Sequence, residues 1–428
     1  MDSIKRVIHG NDIVKVLKIR AFLFLMISEF FTQLAFNMQH FVLIFIIYKL
    51  TGSNTAVSGI ILSFTIPAVL FSLVSGVYVD RWNKKKVMFL TNFIRGVLVL
   101  PFLIADLHLG LIYALTFLIA SATQFFLPAE SAIIPLLVPK RLIMPAIAVF
   151  GLGIYATLLL GYILSGPFLL IFGQFNTILI LAVLFFTGSF FTSLIRMKAK
   201  IKIAETEFNV PSSVSYEIKE IFSFIRRARK VMHALVVLTI SQAVLFMFGV
   251  LGPGYMRKIL DVQIESLSWI LLAPAALGMG LGGLLLGSYG RKLKNRFLST
   301  AGFSISGIVF VILPLLDRVS SADFIHGLNA SLPKFMDVSI LHIVVLLAFF
   351  AGLANSLIFI PSNATLQLET NERMRGRIYG FLNALIGAVS LLPVALAGGL
   401  ADIIGVASVL TAVGIALVIL STIFFIFE

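Results

Sequence analysis

The sequence predicts an all-α membrane protein whose twelve transmembrane helices form two pseudo-symmetric six-helix bundles. Three observations carry that expectation. The 428 residues are 59% apolar and only 12% charged, and the mean hydropathy is +1.06; soluble domains run about 45–50% apolar and about 25% charged. Apolar runs long enough to cross ~30 Å of hydrocarbon, about 20 residues of helix, recur twelve times. Lys and Arg crowd every second connection and nearly vanish from the others.

The runs fall at 21–48, 56–79, 87–105, 109–136, 144–172, 176–195, 231–252, 267–288, 297–316, 340–360, 378–400 and 404–427. Unpaired strand edges are forbidden in lipid, and short alternating segments are absent, so the runs are helices and not barrel strands. The first follows a basic segment without a small-residue cleavage site, so it reads as a retained helix and not a signal peptide. A cytoplasmic N-terminus places 27 of the 33 Lys and Arg inside, five outside and Arg95 within the third span. The positive-inside rule therefore puts both termini on the cytoplasmic side of a plasma (inner) membrane. The net charge of +14 is spread over short loops that would face anionic lipid, which argues against a nucleic-acid partner. There are no cysteines, so disulfides and thiolate metal sites are excluded.

The expected domains are 1–195, a linker at 196–230, and 231–428. Within the linker, Val214, Ile218, Ile221, Phe222 and Ile225 fall at helical spacing before Arg226, Arg227, Arg229 and Lys230. That pattern predicts an amphipathic helix on the inner leaflet, with a solvated linker as the alternative. The halves echo each other. Gly76-Val-Tyr-Val-Asp80-Arg81 closes the second span, and Gly283-Leu-Leu-Leu-Gly287 closes the eighth. Phe126-Leu-Pro128-Ala-Glu130 ends the fourth, and Phe359-Ile-Pro361-Ser-Asn363 ends the tenth. Paired six-helix halves with substrate bound at their interface are a transporter architecture.

Gly76-x-x-x-Asp80-Arg81-x-x-Lys84-x-Lys86, between the second and third spans, resembles the loop motif of the major facilitator superfamily. Three further segments look like its drug- and siderophore-exporter branch, which includes macrolide-efflux and enterobactin-export proteins. They are Phe126-x-Pro128-Ala129-x-x-Ala132-x-x-Pro135-x-x-Val138-Pro139, the glycine run Gly278-x-Gly280-x-Gly282-Gly283, and Pro361-x-Asn363-x-x-x-Gln367 followed by Arg375-Gly376-Arg377. The lysophospholipid transporters are a second likeness through the Pro361–Gln367 segment. In Gly161-Tyr162-Ile-Leu-Ser165-Gly166-Pro167, Tyr162 stands where exporters of the superfamily carry a proline.

The resemblance implies a gate. Asp80 would face the start of the eleventh span near Arg377 and Gly380, where helix N-terminal N–H groups favour a carboxylate. Gly76 would let the backbones approach. Glu130 would join this network, with Arg95 as one partner. The alternative is that Arg81, Lys84, Lys86 and their neighbours only orient the loop. Gly287 replaces the aspartate in the second half, so its matching latch is weaker.

The first span is the most polar in pattern. Glu29, Gln33, Asn37 and His40 share one helical face, and polar residues in lipid line a cavity or bond to neighbouring helices. Two readings of Glu29 stand: a titratable group that couples proton movement to transport, or a structural carboxylate. His40, His233 and His342 read as interfacial. Further cavity candidates are Gln124, Tyr155, Tyr162, Gln242, Asn355 and Asn383, and the 40 phenylalanines suit a bulky apolar ligand. Gly278, Gly282, Gly283 and Gly287 signal close helix packing. No phosphate-binding loop, paired metal-binding histidines or nucleophile elbow occurs, so no cofactor, metal or enzymatic activity is expected. The sequence thus points to a monomeric secondary transporter that exports hydrophobic or amphiphilic small molecules against protons. The alternatives are a lipid or lysophospholipid transporter of the same fold and, more remotely, a non-transporting receptor or enzyme.

Overall fold

A computed structural model describes residues 12–104, 108–196, 210–289, 295–319 and 339–427. The basic residues at 198–202, 291–294 and 334, counted above, lie outside them. So do the side chains of Asp80, Tyr155, Arg373 and Arg375. The helices are α1 (Asp12–Leu17), α2 (Arg20–Thr51), α3 (Asn54–Arg81), α4 (Lys84–Val99), α5 (Leu109–Leu137), α6 (Ile143–Leu194) and α7 (Val210–Arg227). They continue with α8 (Arg229–Lys258), α9 (Ala273–Tyr289), α10 (Asn295–Val319), α11 (Ile340–Glu369), α12 (Glu372–Ile404) and α13 (Val406–Phe427). A turn of wider π-helix, Ser268–Leu272, leads into α9. No strand occurs among the described residues.

Eleven described segments are long and apolar enough to cross a membrane. The longest contains α6, which is two helices joined at Gly173, where φ is +71° and ψ 173°. A side chain with a Cβ rarely adopts that backbone, and glycine does so without penalty. Counted as two, α6 brings the membrane-length helices among the described residues to twelve, as the apolar runs predict.

The chain packs as two compact units. The first comprises 1–43 and 63–218, the second 44–62 and 219–428. The first is built on Phe22 and Leu25 of α2, Val79 of α3, Met88 of α4, Phe126 and Ile133 of α5 and Phe150 of α6, with Val16 of α1 beneath them. Phe186 of α6 crosses α4 at Gly96, where a Cβ would sit 2.7 Å from the ring.

In the second unit α9 and α11 touch backbone to backbone. A Cβ on Gly352 would lie 2.7 Å from the Cα of Ala275, and one on Gly278 would lie 2.9 Å from the Leu353 nitrogen. The glycine run is therefore a packing device here, because lipid supplies no hydrophobic drive and close contact must hold such helices. On the apolar side of α7, Ile221 and Ile225 are buried against Val231, Leu235 and Leu238 of α8, Leu366 of α11 and Leu382 of α12, and the side chains of Val214 and Ile218 lie outside the described residues. Phe222 remains exposed and meets Phe381 edge-on.

Candidate functional site

In the first unit, Ser28 and Thr32 of α2 face α4 and the second segment of α6. Ser28 donates to the Gly188 carbonyl at 2.7 Å and pairs with the Thr192 hydroxyl at 2.7 Å. One turn on, Thr32 accepts from the Asn92 amide at 3.0 Å. Gly188 makes this possible, since a Cβ there would overlap Thr32 and sit 3.2 Å from the Ser28 carbonyl oxygen. Asn92 in turn accepts from Arg95 Nη2 at 2.6 Å, and Arg95 Nε donates to the Thr91 carbonyl at 3.3 Å.

Arg95 is only 1% exposed. Its guanidinium lies 4.4 Å from the centre of the Phe126 ring and 5.2 Å from that of Phe185. A buried cation needs such hydrogen bonds and ring faces, because losing its hydration costs several kcal/mol. Glu29, also 1% exposed, sits beside this chain. Neither of its oxygens completes a hydrogen bond of full geometry. The groups that act on it are the Gln33 amide one turn along and the Arg95 charge, although no ion pair within 4.0 Å joins Glu29 to Arg95. A carboxyl with unused acceptors, in reach of a cation it does not touch, can hold a proton or, on small movements, pair with the guanidinium.

The other positions singled out from sequence scatter. Asn37 donates to the Gln33 carbonyl at 2.8 Å and lies under Gly161 of α6, where a Cβ would come 2.6 Å from its own. His40 is held edge-on by Phe36 and Phe64, and His342 closes a capping box with Ser339 at the start of α11. Tyr162, Gln124 and Gln242 are half-buried, and Asn383 is exposed. Asn355 donates to Ser241 at 3.1 Å, joining α11 to α8.

Among the gate residues, Lys84 is buried at the start of α4, Arg81 is half-buried and Lys86 is exposed. Asn83 caps that helix by accepting from the Lys86 backbone N–H at 3.1 Å. Glu130 is 2% exposed with one oxygen unpartnered. A Cβ on Gly76 would meet nothing within 4 Å. Arg377 donates to Glu220 of α7 at 2.6 Å. Asn363 accepts from the Tyr379 hydroxyl, which ties the end of α11 to α12.

Sequence reasoning missed Asn92, Ser28, Thr32 and Gly188. The i, i+3 spacing of Asn92 and Arg95 on one face was the available signal. It also missed Asp402, an acid in the last turn of a helix, where the dipole disfavours it.

Membrane-length apolar helices of this number are the architecture of a multi-span membrane transporter. The Major Facilitator Superfamily model matches residues 25–332, and the chain belongs to that superfamily. It is 23% identical to the transporter YfiS of Bacillus subtilis (strain 168), over 88% of this chain and 85% of that one. It is 24% identical to macrolide efflux protein A of Streptococcus pyogenes, over 85% of each. Among solved structures, a POT family transporter with a thioalcohol-conjugated peptide aligns with a TM-score of 0.72 at 13% identity, covering 95% of this chain and 96% of that one. The nucleoside transporter NupG aligns with a TM-score of 0.69 at 14% identity, covering 95% and 98%. At such identities these structures speak to the fold alone.

Proposed function

We propose that this protein is a plasma-membrane exporter of hydrophobic or amphiphilic small molecules. It works as a monomer by alternating access in exchange for protons, with both termini in the cytoplasm. The single observation that carries the coupling is Glu29, buried, short of hydrogen bonds and beside a cation it does not touch. A buried carboxyl can carry a proton and discharge it when water reaches it. Arg95, fixed by Asn92 and the two phenyl rings, offers the ionised carboxylate a partner. The macrolide efflux relatives support a bulky, largely apolar cargo. Asp80 with Gly76, Arg81, Lys84 and Lys86, together with Glu130 and Arg377, forms the inner gate on this reading. The basic loops rest against anionic lipid headgroups.

Purified protein in vesicles tests this. An imposed pH gradient should drive uptake of a macrolide or a lipophilic cation dye, and Glu29→Gln should abolish the response to the gradient. Undiminished coupling in Glu29→Gln rejects the carboxyl as the proton site. Flux of a lysophospholipid that ignores the gradient would replace drug export with lipid transport.

A further inference from the structure

A second carboxylate, that of Asp402, joins two helices at their ends. Asp402 lies in the last turn of α12. There it faces the carbonyl end of its own helix, the wrong place for an acid. It is turned instead onto the first turn of α3. Its Oδ1 accepts from the backbone N–H of Asn54 and from the Asn54 amide, each at 2.9 Å. Its Oδ2 accepts from the backbone N–H of Thr55 at 2.9 Å, the Thr55 hydroxyl at 2.7 Å and the Ser53 hydroxyl at 2.6 Å. These are the orphan donors of a helix N-terminus, met by a charge from another helix and not from their own cap.

The packing is built for the approach. A Cβ on Gly398, one turn back on α12, would overlap the Ser58 hydroxyl and lie 2.6 Å from the Asn54 carbonyl oxygen. A Cβ on Gly254 of α8 would lie 2.5 Å from Asn54 Oδ1 and 2.8 Å from a Val406 methyl. Ser58 adds a hydrogen bond to the Val394 carbonyl at 2.8 Å. Residues 44–62 accordingly pack with 219–428, although they connect spans that belong by sequence repeat to the first half.

We infer that Asp402 is the latch of an outer gate: it fastens the end of α12 to the start of α3 while the outside is closed, and the clasp parts when the protein opens outward. The inference rests on the alternating-access reading and on cytoplasmic termini, which place residues 53–55 and 402 at the outer face. It repeats, with the roles of the two helices exchanged, the contact that sequence resemblance implies for Asp80 and the start of α12. Two carboxylates at opposite faces then each hold the other helix's N-terminus, and loosening one favours the state in which the other is fastened.

The absence of native cysteine makes the test clean. Ser58 is 2% exposed behind the clasp, so Ser58→Cys in intact cells should react slowly with a membrane-impermeant maleimide. Adding Asp402→Ala should raise the initial labelling rate about tenfold, because every charge-assisted bond to the helix end is lost. Ser53→Ala with Thr55→Val removes two of the donors but leaves the carboxylate and the backbone N–H groups. It should raise the rate by a smaller factor, and add little once Asp402 is gone. Labelling that stays slow in both backgrounds, with protein at normal levels, overturns the latch. The assay needs no substrate, so a labelling shift without any gradient-driven flux would leave the latch standing and refute the export reading instead.

Discussion

The α9–α11 contact makes a sharp test of how this membrane fold is held. Gly278 and Gly280 are two residues apart on one helix. A Cβ on Gly278 would sit 2.9 Å from the Leu353 nitrogen and closer still to the Phe349 carbonyl oxygen, whereas one on Gly280 meets nothing within 4 Å. Ordinary van der Waals contact begins near 3.4 Å, so with the Phe349 carbonyl oxygen as the limiting contact Gly278→Ala must part the helices locally by roughly an ångström or more. The obstructing atoms are backbone and cannot rotate away. Overpacking of this kind costs about 1–3 kcal/mol or somewhat more. A gap of 0.5–1 Å along the seam also forfeits roughly a quarter to a half of each dispersion contact, including those at Gly352 and Gly282. Against this, alanine gains about 1 kcal/mol of helix propensity over glycine. The expected result is a net loss of about 2 kcal/mol for Gly278→Ala and a gain of up to about 1 kcal/mol for Gly280→Ala. Thermal unfolding in detergent, followed by monodisperse peak height, should separate the two variants by several degrees at least. Equal midpoints would mean that the glycine run does not hold α9 against α11.

Three further outcomes follow from single sites. Asn92→Ala removes an acceptor from the buried Arg95 and a donor from Thr32, so thermal stability should fall by about 2 kcal/mol; Asn92→Asp should recover part of it, and no loss would show Arg95 to be held by the ring faces alone. Gly173→Ala meets no atom within 4 Å yet fixes a backbone at φ +71°; the strain, about 1–3 kcal/mol, should lower the unfolding midpoint without changing transport kinetics. Arg377 and Glu220 are each about a third exposed or less, so a double-mutant cycle on unfolding should give a coupling of about 0.5–1 kcal/mol that shrinks in high salt; a cycle that closes at zero removes the ion pair as an anchor of α7.

The number and approximate places of the membrane helices were legible in the chain because hydrocarbon imposes one requirement everywhere: about 20 apolar residues with internally satisfied backbone. Even the break inside α6 shows in sequence, as a glycine between apolar runs at 172 and 176. Glu29 was legible for the complementary reason, since a carboxylate inside such a run is costly and so conspicuous.

Azimuth was not legible. In water the apolar face of a helix points to the core, but in lipid the outside is as apolar as the inside, and the periodicity that would tell one face from the other fades. Hence Asn92, Gly188 and Thr192, which surround the Glu29 region from α4 and α6, could not be read as its neighbours. The apolar stripe of α7 is legible, but that Ile221 and Ile225 pack on α8, α11 and α12 is not, because the stripe does not name its partner. Asp402 and the residues it grips are about 350 positions apart, and nothing in local pattern links them. The chain alone determined that twelve helices would cross a membrane and where charge would be expensive. Which helix ends meet, and so which carboxylate finds which donors, was decided only when backbone approach through glycine brought those ends within hydrogen-bonding distance.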